Sequence, residues 1–388
     1  MFILEKPYVS EFLTDTIVKN EWTVLDNSAI ENVDIEEEAL CLITSDKAKK
    51  YYLSQEYPFI YGNSDASASW VKTNLPESNL ASYIEIFRNK INFRELLKEK
   101  YPEFNFRALE VEDLRDIDVA ELKFPFVIKP VVGYLSNCVY IIKDEKEWKE
   151  TLDTLIKDVK SHKGLYPIEV LDTSQFIMED YIDGEEFAID AYFDRNGEPV
   201  ILNIYQHPYL NAKDLRNTVY LMSTGIMIKY MGKFGLLLRE IGHLANVKNL
   251  PVHVELRVTK DEQIIPIEVN PMRFGAWCVS DVAKYAWGIN VYEMFYNQTY
   301  PDWNEILTES GRGVFYFSTV EVPQSLDKKK ITGFQYDRYL SNFSNILEIR
   351  RIDATENPLA LIIFGSTFNK NEILNILSLK VNNYFITK

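Results

Sequence analysis

Short apolar runs alternate with helical or turn-rich stretches through about the first 85 residues. Phe2-Ile3-Leu4, Thr23-Val24-Leu25 and Leu40-Cys41-Leu42-Ile43-Thr44 have the length and composition of strands, and Val9 to Lys19 has the spacing of a first connecting helix. That order predicts a small, open α/β domain over residues 1–88. No GxGxxG follows its first strand, which argues against a dinucleotide site there. Asn89 to Lys100 then sets Ile91, Phe93, Leu96 and Leu97 among charges, as an amphipathic helix does, and Pro102 limits it.

From Phe124 the texture changes. Phe126 to Lys129 reads as a strand, followed by a loop through Gly133 and Ser136, a strand over Val139 to Lys143 and a helix over Lys146 to Val159. Phe176 to Glu179, Glu186 to Asp194 and Val200 to Gln206 are further strands, the last two joined across Asn196-Gly197, a hairpin signal. A helix over Lys233 to Asn246 leads into strands over Val252 to Thr259 and Ile264 to Asn270. Strands at Val314 to Val322 and Leu359 to Phe364, with a helix over Asn371 to Leu379, predict an α+β region at 301–388.

Alternation is most informative between Val252 and Asn270. Folded as an antiparallel hairpin with Asp261 and Glu262 at the tip, or with a longer loop of the same parity, it pairs Glu255 with Glu268 and His253 with Asn270. One face then carries His253, Glu255, Arg257, Glu268 and Asn270, and the other Val252, Val254, Leu256, Val258, Ile265, Ile267 and Val269. Two carboxylates directly opposite repel unless one is protonated or a cation lies between them, and Glu, Glu and Asn are hard oxygen ligands suited to magnesium. The plainer alternative is a half-buried hairpin with one solvated face. Pro271-Met272-Arg273-Phe274-Gly275 shifts the balance by placing a cation just beyond the second strand.

Length and composition bound the partners. The 388 residues suggest two or three domains, and 46% hydrophobic with 26% charged residues is a globular balance. Lys+Arg at 42 against Asp+Glu at 58 leaves a net charge of −16, which opposes nucleic acid and anionic membrane surfaces while leaving room for a locally basic pocket. No basic-then-apolar leader opens the chain and no uncharged run reaches spanning length, so no membrane partner is expected. Cys41, Cys138 and Cys278 form no CxxC and fit a reducing compartment, and the chain reads as cytoplasmic. Cys138 has no nearby His to serve as its base and reads as a small filler. His207 and His243 read as isolated structural or surface residues, and Trp277, Trp287 and Tyr285 read as core residues before pocket walls.

Two further segments carry chemistry. Lys129 ends an apolar strand and, with Pro130 and the Gly133/Ser136 loop, has the parts to hold phosphate through an ammonium and loop amides; taken alone it reads first as a solvated strand-end Lys. Glu179-Asp180-Tyr181-Ile182-Asp183-Gly184-Glu185-Glu186 is an acidic turn between strands. In this order the segments resemble the ATP-grasp superfamily: Lys90 in Asn89-Lys90-Ile91-Asn92-Phe93-Arg94, then Lys129-Pro130, Glu179 to Glu186, Glu255, and Glu268-Val269-Asn270-Pro271. The resemblance implies an α/β ATP-grasp fold over 89–300, with two lobes and a hinge near 179–184, behind a pre-ATP-grasp domain at 1–88.

It further implies ATP between the lobes. Lys90, Lys129, Gly133 and Ser136 would meet the phosphates, Glu179 and the backbone of Asp180 and Ile182 the adenine edge, and Glu186 the ribose hydroxyls. Glu255, Glu268 and Asn270 would bind two magnesium ions, with manganese as a substitute, and Lys129 and Arg273 would be the catalytic cations, with His253 beside them. The implied activity is ADP-forming ligation of a small carboxylate to an amine, or to a thiol, through an acyl phosphate. Two departures stand out: the 131–138 loop has one glycine where the family often has several, and Met272 separates Pro271 from Arg273, leaving Arg273 to face either the phosphoryl group or the substrate carboxylate. A nucleotide-binding regulatory protein without ligation and a small-molecule kinase are the rival readings. The identity of acid and amine, and the oligomeric state, a homodimer included, stay open.

Overall fold

The structure, a computed structural model, describes residues 1–32, 39–133, 138–162, 171–209, 219–311, 313–323 and 325–388. The chain forms two units, neither continuous in sequence. Met1–Gly184, Tyr192–Pro199 and Leu237–Trp277 make the first, and Glu185–Ala191, Val200–Leu236 and Cys278–Lys388 the second.

The first unit begins with β1 (Phe2–Ile3), β2 (Thr23–Leu25), β3 (Cys41–Ile43) and β4 (Tyr61–Gly62), a parallel sheet of order β3-β2-β1-β4. Parallel neighbours need crossovers, and α1 (Glu11–Lys19), α2 (Ser45–Ser54) and α3 (Ser67–Asn74) lie between or after these strands, followed by α4 (Asn79–Arg88). α1 starts where the Ser10 side chain accepts from the Leu13 N–H, and it buries Leu13 and Ile17. α5 (Lys90–Leu97) is shorter than its periodic pattern: Asn89 caps it, and the amides of Lys100 and Tyr101 both donate to the Leu97 carbonyl as the chain turns away.

β5 (Phe106–Glu110), β6 (Phe126–Val132), β7 (Tyr140–Ile142) and β8 (Asp172–Asp180) form an antiparallel sheet of order β5-β8-β6-β7. α6 (Glu145–His162) packs Trp148, Leu155 and Val159 into one cluster with Phe126, Ile128, Ile142 and Phe176. Val127 on β6 is opposite Glu179 on β8, which puts Lys129 diagonally across from Glu179 on the same face.

The chain continues through β9 (Gly184–Phe193), β10 (Pro199–His207), β11 (Val219–Met222) and α7 (Thr224–Leu244). The β9–β10 turn closes as expected at Asn196-Gly197, where the Asp194 carboxylate accepts from the amides of Asn196 and Glu198, and Gly197 sits at φ 92°, which disfavours any side chain. α7 begins well before Lys233, since Gly225, Gly232 and Gly235 weaken the helical signal of its first turns without stopping the helix.

β12 (Leu250–Thr259) and β13 (Ile264–Pro271) are the antiparallel hairpin. His253 pairs with Asn270 and Glu255 with Glu268, but a bulge after Glu255 then shifts the register, so Leu256 faces Pro266 and Arg257 faces Ile265. This corrects the expected apolar face: Ile265 shares a register position with Arg257, and Pro266 takes the buried place beside Leu256. Proline has no N–H to give a ladder, and a bulge is where a strand accommodates it. The tip is Lys260-Asp261-Glu262, with Glu262 at φ 59° and the Thr259 N–H donating to the Gln263 carbonyl.

In the second unit the strand order is β9-β10-β11, then β14 (Val314–Glu321), β17 (Leu359–Thr367) and β16 (Ile346–Arg351), while β15 (Ile331–Phe334) pairs with β18 (Phe385–Thr387). Tyr316, Val320, Leu361, Ile363 and Ile376, the last from the helix Lys370–Ser378, form its core. Among the described residues no helix is long and apolar enough to cross a membrane.

Candidate functional site

Helix α5 carries Lys90 and Arg94 four positions apart, so both leave one face. Lys90 Nζ lies 2.9 Å from Glu268 Oε2, Arg94 Nε 2.7 Å from Glu179 Oε2, and Lys129 Nζ 2.6 Å from Glu179 Oε1. Each oxygen of Glu179 thus takes one cation, on a side chain only 4% exposed. Burial pushes this carboxyl up, but Arg94 and Lys129 outweigh it and hold the value down to about 2. For Lys129, burial pulls the ammonium down despite Glu179.

Because the folded value of Glu179 is depressed, its contribution to stability is complete above the ordinary value of 4.5 and is lost as pH falls through about 2. Glu179→Gln is expected to lower stability at neutral pH by about 3 kcal/mol and to flatten the acid loss in that window. Urea titrations of both proteins from neutral pH down to about pH 2 check the difference.

Glu255 and Glu268 stand opposite each other, as the alternation predicts. The Asn270 amide donates to Glu268 Oε1 at 3.3 Å, and His253 Nε2 is 3.8 Å from Glu255 Oε1. Burial raises the Glu268 carboxyl, but Lys90 and Lys129 bring it down to about 2, so it is ionised and Lys90 supplies part of the cation that the opposed pair requires. Among the described residues no group of three or more His, Cys, Asp or Glu gathers as a metal cage. Two carboxylates and an amide oxygen on one strand pair are instead the partial set that suits magnesium when phosphate oxygens complete its shell.

Arg273 follows Met272, whose φ of 69° is unusual for a bulky residue, and the Gly62 N–H donates to the Met272 carbonyl at 2.8 Å. Arg273 donates through Nε to Asp65 Oδ1 at 2.7 Å and through Nη1 to the Phe274 carbonyl at 2.9 Å. Arg88 Nη1 lies 2.5 Å from the same Asp65 oxygen, so one carboxylate oxygen seats two guanidinium groups side by side. Burial opposes the charge of Asp65, yet Arg273 and Arg88 hold its carboxyl well below the usual range. Burial likewise opposes the Arg273 charge, and Asp65 more than restores it. Arg88, Asp65 and Arg94 stand out by no spacing of their own: Asp65 sits in Asn63-Ser64-Asp65-Ala66-Ser67, and Arg88 is the last residue of α4. In this network the cations Arg88, Lys90, Arg94, Lys129 and Arg273 stand against the carboxylates Asp65, Glu179, Glu255 and Glu268, so the buried charges nearly balance.

Gly133 directly follows β6, and Ser136 lies outside the described residues. Cys138 is buried, and burial with nearby Asp158 pushes its thiol up to about 11, the state of a filler. The Asp180 carboxylate accepts from the amide and side chain of Asn105, and the Ile182 carbonyl accepts from Arg257 Nη1 at 2.8 Å. Gly184 fits against β12 because a Cβ there would stand 2.5 Å from the Val258 carbonyl oxygen. Glu186 belongs to the second unit, where it accepts from the Tyr209 hydroxyl at 2.7 Å and lies 3.2 Å from His207 Nδ1. His207, stacked on Tyr220 at 4.5 Å, is therefore not the isolated residue the sequence suggests. His243 is exposed, whereas Trp277 and Trp287 are buried.

Residues 122–281 match the family model of the ATP-grasp domain. No curated protein matches the sequence. The crystal structure of an L-amino acid ligase from Bacillus licheniformis is similar over 100% of this chain and 98% of its own, with a TM-score of 0.65 at 17% identity. Biotin carboxylase from Campylobacter jejuni, solved in complex with a β-γ-ATP ligand, aligns over 100% and 92% with a TM-score of 0.63 at 11% identity. N5-carboxyaminoimidazole ribonucleotide synthetase from Thermotoga maritima aligns over 100% and 99%, with a TM-score of 0.60 at 13% identity. At such identities the likeness is one of fold.

Proposed function

We propose, on the premise that this chain belongs to the ATP-grasp superfamily, that it is an ATP-dependent, ADP-forming ligase which activates a small carboxylate as an acyl phosphate and joins it to an amine. The observation that carries this reading is the buried charge network of the first unit, in which Lys90 meets Glu268 and Lys129 meets Glu179 around the opposed Glu255–Glu268 pair. Desolvated ammonium groups beside hard oxygen donors are what a magnesium triphosphate requires.

In this reading Lys90 and Lys129 bind phosphate oxygens, with loop amides after Gly133 and the Ser136 hydroxyl adding to them. Glu179 holds Lys129 and stands at the adenine edge with the backbone of Asp180 and Ile182; the ribose contact of Glu186 rests on the motif alone. Glu255, Glu268 and Asn270 hold magnesium, which when bound spreads phosphate charge. The substrate carboxylate attacks the γ-phosphorus in line, the bond to the β-bridging oxygen breaks, and ADP leaves. The amine then attacks the acyl carbon and phosphate departs, giving an amide. Arg273, seated by Asp65, offsets the charge gathering on the transferring group or on the carboxylate.

Lys129→Ala is expected to weaken ATP far more than adenosine, since of the ligand the lost ammonium would touch the phosphates only and Arg94 still holds Glu179; calorimetry with both ligands checks it, and equal losses would make Lys129 structural. The function itself is tested by a screen of amino acids and small carboxylates, singly and in pairs, reading ADP and phosphate. The likeness to an L-amino acid ligase fold makes amino acids the first acids to try. Release of both products only when an acid and an amine are present supports the reading, and absence of ATP binding overturns it.

A further inference from the structure

We propose that Arg94 is a positioning residue of the nucleotide site, one that fixes Lys129 and Glu268 relative to each other by gripping Glu179 with one part of its guanidinium and the bulge of β13 with the rest. The inference rests on the reading of Lys129 and Glu268 as triphosphate and metal groups. Arg94 Nε donates to Glu179 at 2.7 Å, Nη1 to the Pro266 carbonyl at 2.6 Å and Nη2 to the Ile267 carbonyl at 3.5 Å. Its side chain is 3% exposed, and its plane lies over the Phe104 ring at 4.4 Å, which fixes the fork's rotation.

Both targets bear directly on the site. Glu179 is the carboxylate that seats Lys129. Pro266 and Ile267 immediately precede Glu268, and the register shift there sets where Glu268 stands opposite Glu255. Among the described residues β13 ends its strand order, and side chains take its outer carbonyls: Tyr101 donates to Ile264 and Arg94 to Pro266. Lys90, from the same face of α5, reaches Glu268 itself. One short helix thus ties the strand bearing Glu179 to the strand bearing Glu268. A planar fork with separate donors is needed to span two elements at once, which a single ammonium cannot do.

The test is calorimetric titration of the full chain with ATP and with adenosine, in magnesium-free buffer containing a chelator, for the wild type, Arg94→Lys and Arg94→Met. Arg94→Lys keeps the charge but loses the fork. It is expected to melt as a folded protein, to bind ATP about ten-fold or more weakly, and to lose much less of its affinity for adenosine; Arg94→Met should lose more ATP affinity than the Lys variant. Wild-type ATP binding by Arg94→Lys overturns the proposal. So do equal losses for ATP and adenosine, or a Lys variant that does not fold, since both would make Arg94 a core residue. A wild type that binds no ATP either in this buffer or in one with magnesium restored would instead overturn the reading of the site, a separate and recognisable outcome.

Discussion

Glu268→Gln is expected to reduce magnesium-dependent ADP formation by about a thousand-fold or more. The substitution keeps shape and one oxygen, so what it removes is charge. That charge faces Lys90 at 2.9 Å and stands opposite Glu255, and a hard, strongly hydrated cation is drawn to such a position mainly by the formal charge of its ligands. Folding should suffer modestly, by about 1–3 kcal/mol, because Lys90 loses its charged partner. Asn270→Ala removes the amide that leans on Glu268 and should give a smaller fall in turnover. The measurement is ADP release against magnesium concentration, run beside a thermal melt of each variant. Wild-type turnover in a folded Glu268→Gln protein would remove this carboxylate from the metal site.

The hairpin shows how much of the site was readable in advance. Period-two alternation places Glu255 against Glu268 and His253 against Asn270, and both pairs form, because register is enforced wherever one face is buried. Beyond Glu255 the same arithmetic fails, since a bulge is a local decision made by Pro266 and by the carbonyls that Arg94 takes, and periodicity carries no record of either. Short parallel strands such as β1 and β2 were visible as apolar runs. β5 was not: as an edge strand its Phe106-Arg107-Ala108-Leu109-Glu110 is only partly buried and shows no clean alternation. The least legible residues were the partners of the motif residues. Asp65 reaches Arg273 across 208 positions and Arg94 reaches Glu179 across 85, and charged residues joined over such separations leave no spacing to read. Their role becomes visible only when burial is known, since an arginine that is nearly dry must be explained by its acceptors.

The bond of ATP that breaks separates the ligase from its neighbours. In the proposed reading a triphosphate held by Lys90 and Lys129, with Arg273 placed by Asp65 beyond the last strand, would be open to attack at the γ-phosphorus, so the expected products are ADP and free phosphate. An enzyme that adenylates its acid would release AMP and pyrophosphate. A small-molecule kinase would also form ADP, but the phosphate would stay on its product. Hydroxylamine divides the cases further: an acyl phosphate is open to any good nucleophile, so turnover in its presence should yield a hydroxamate of the acid, whereas a stable phosphorylated product should yield none. A regulatory nucleotide-binding protein would hold ATP and give neither ADP nor hydroxamate above the blank. Mass spectrometry of one reaction containing ATP, magnesium, the acid and hydroxylamine reads all of these products together. ADP, phosphate and a hydroxamate are the expected set; AMP, or a phosphorylated acid that survives hydroxylamine, would overturn the ligase reading and leave untouched the match of residues 122–281 to the ATP-grasp domain model.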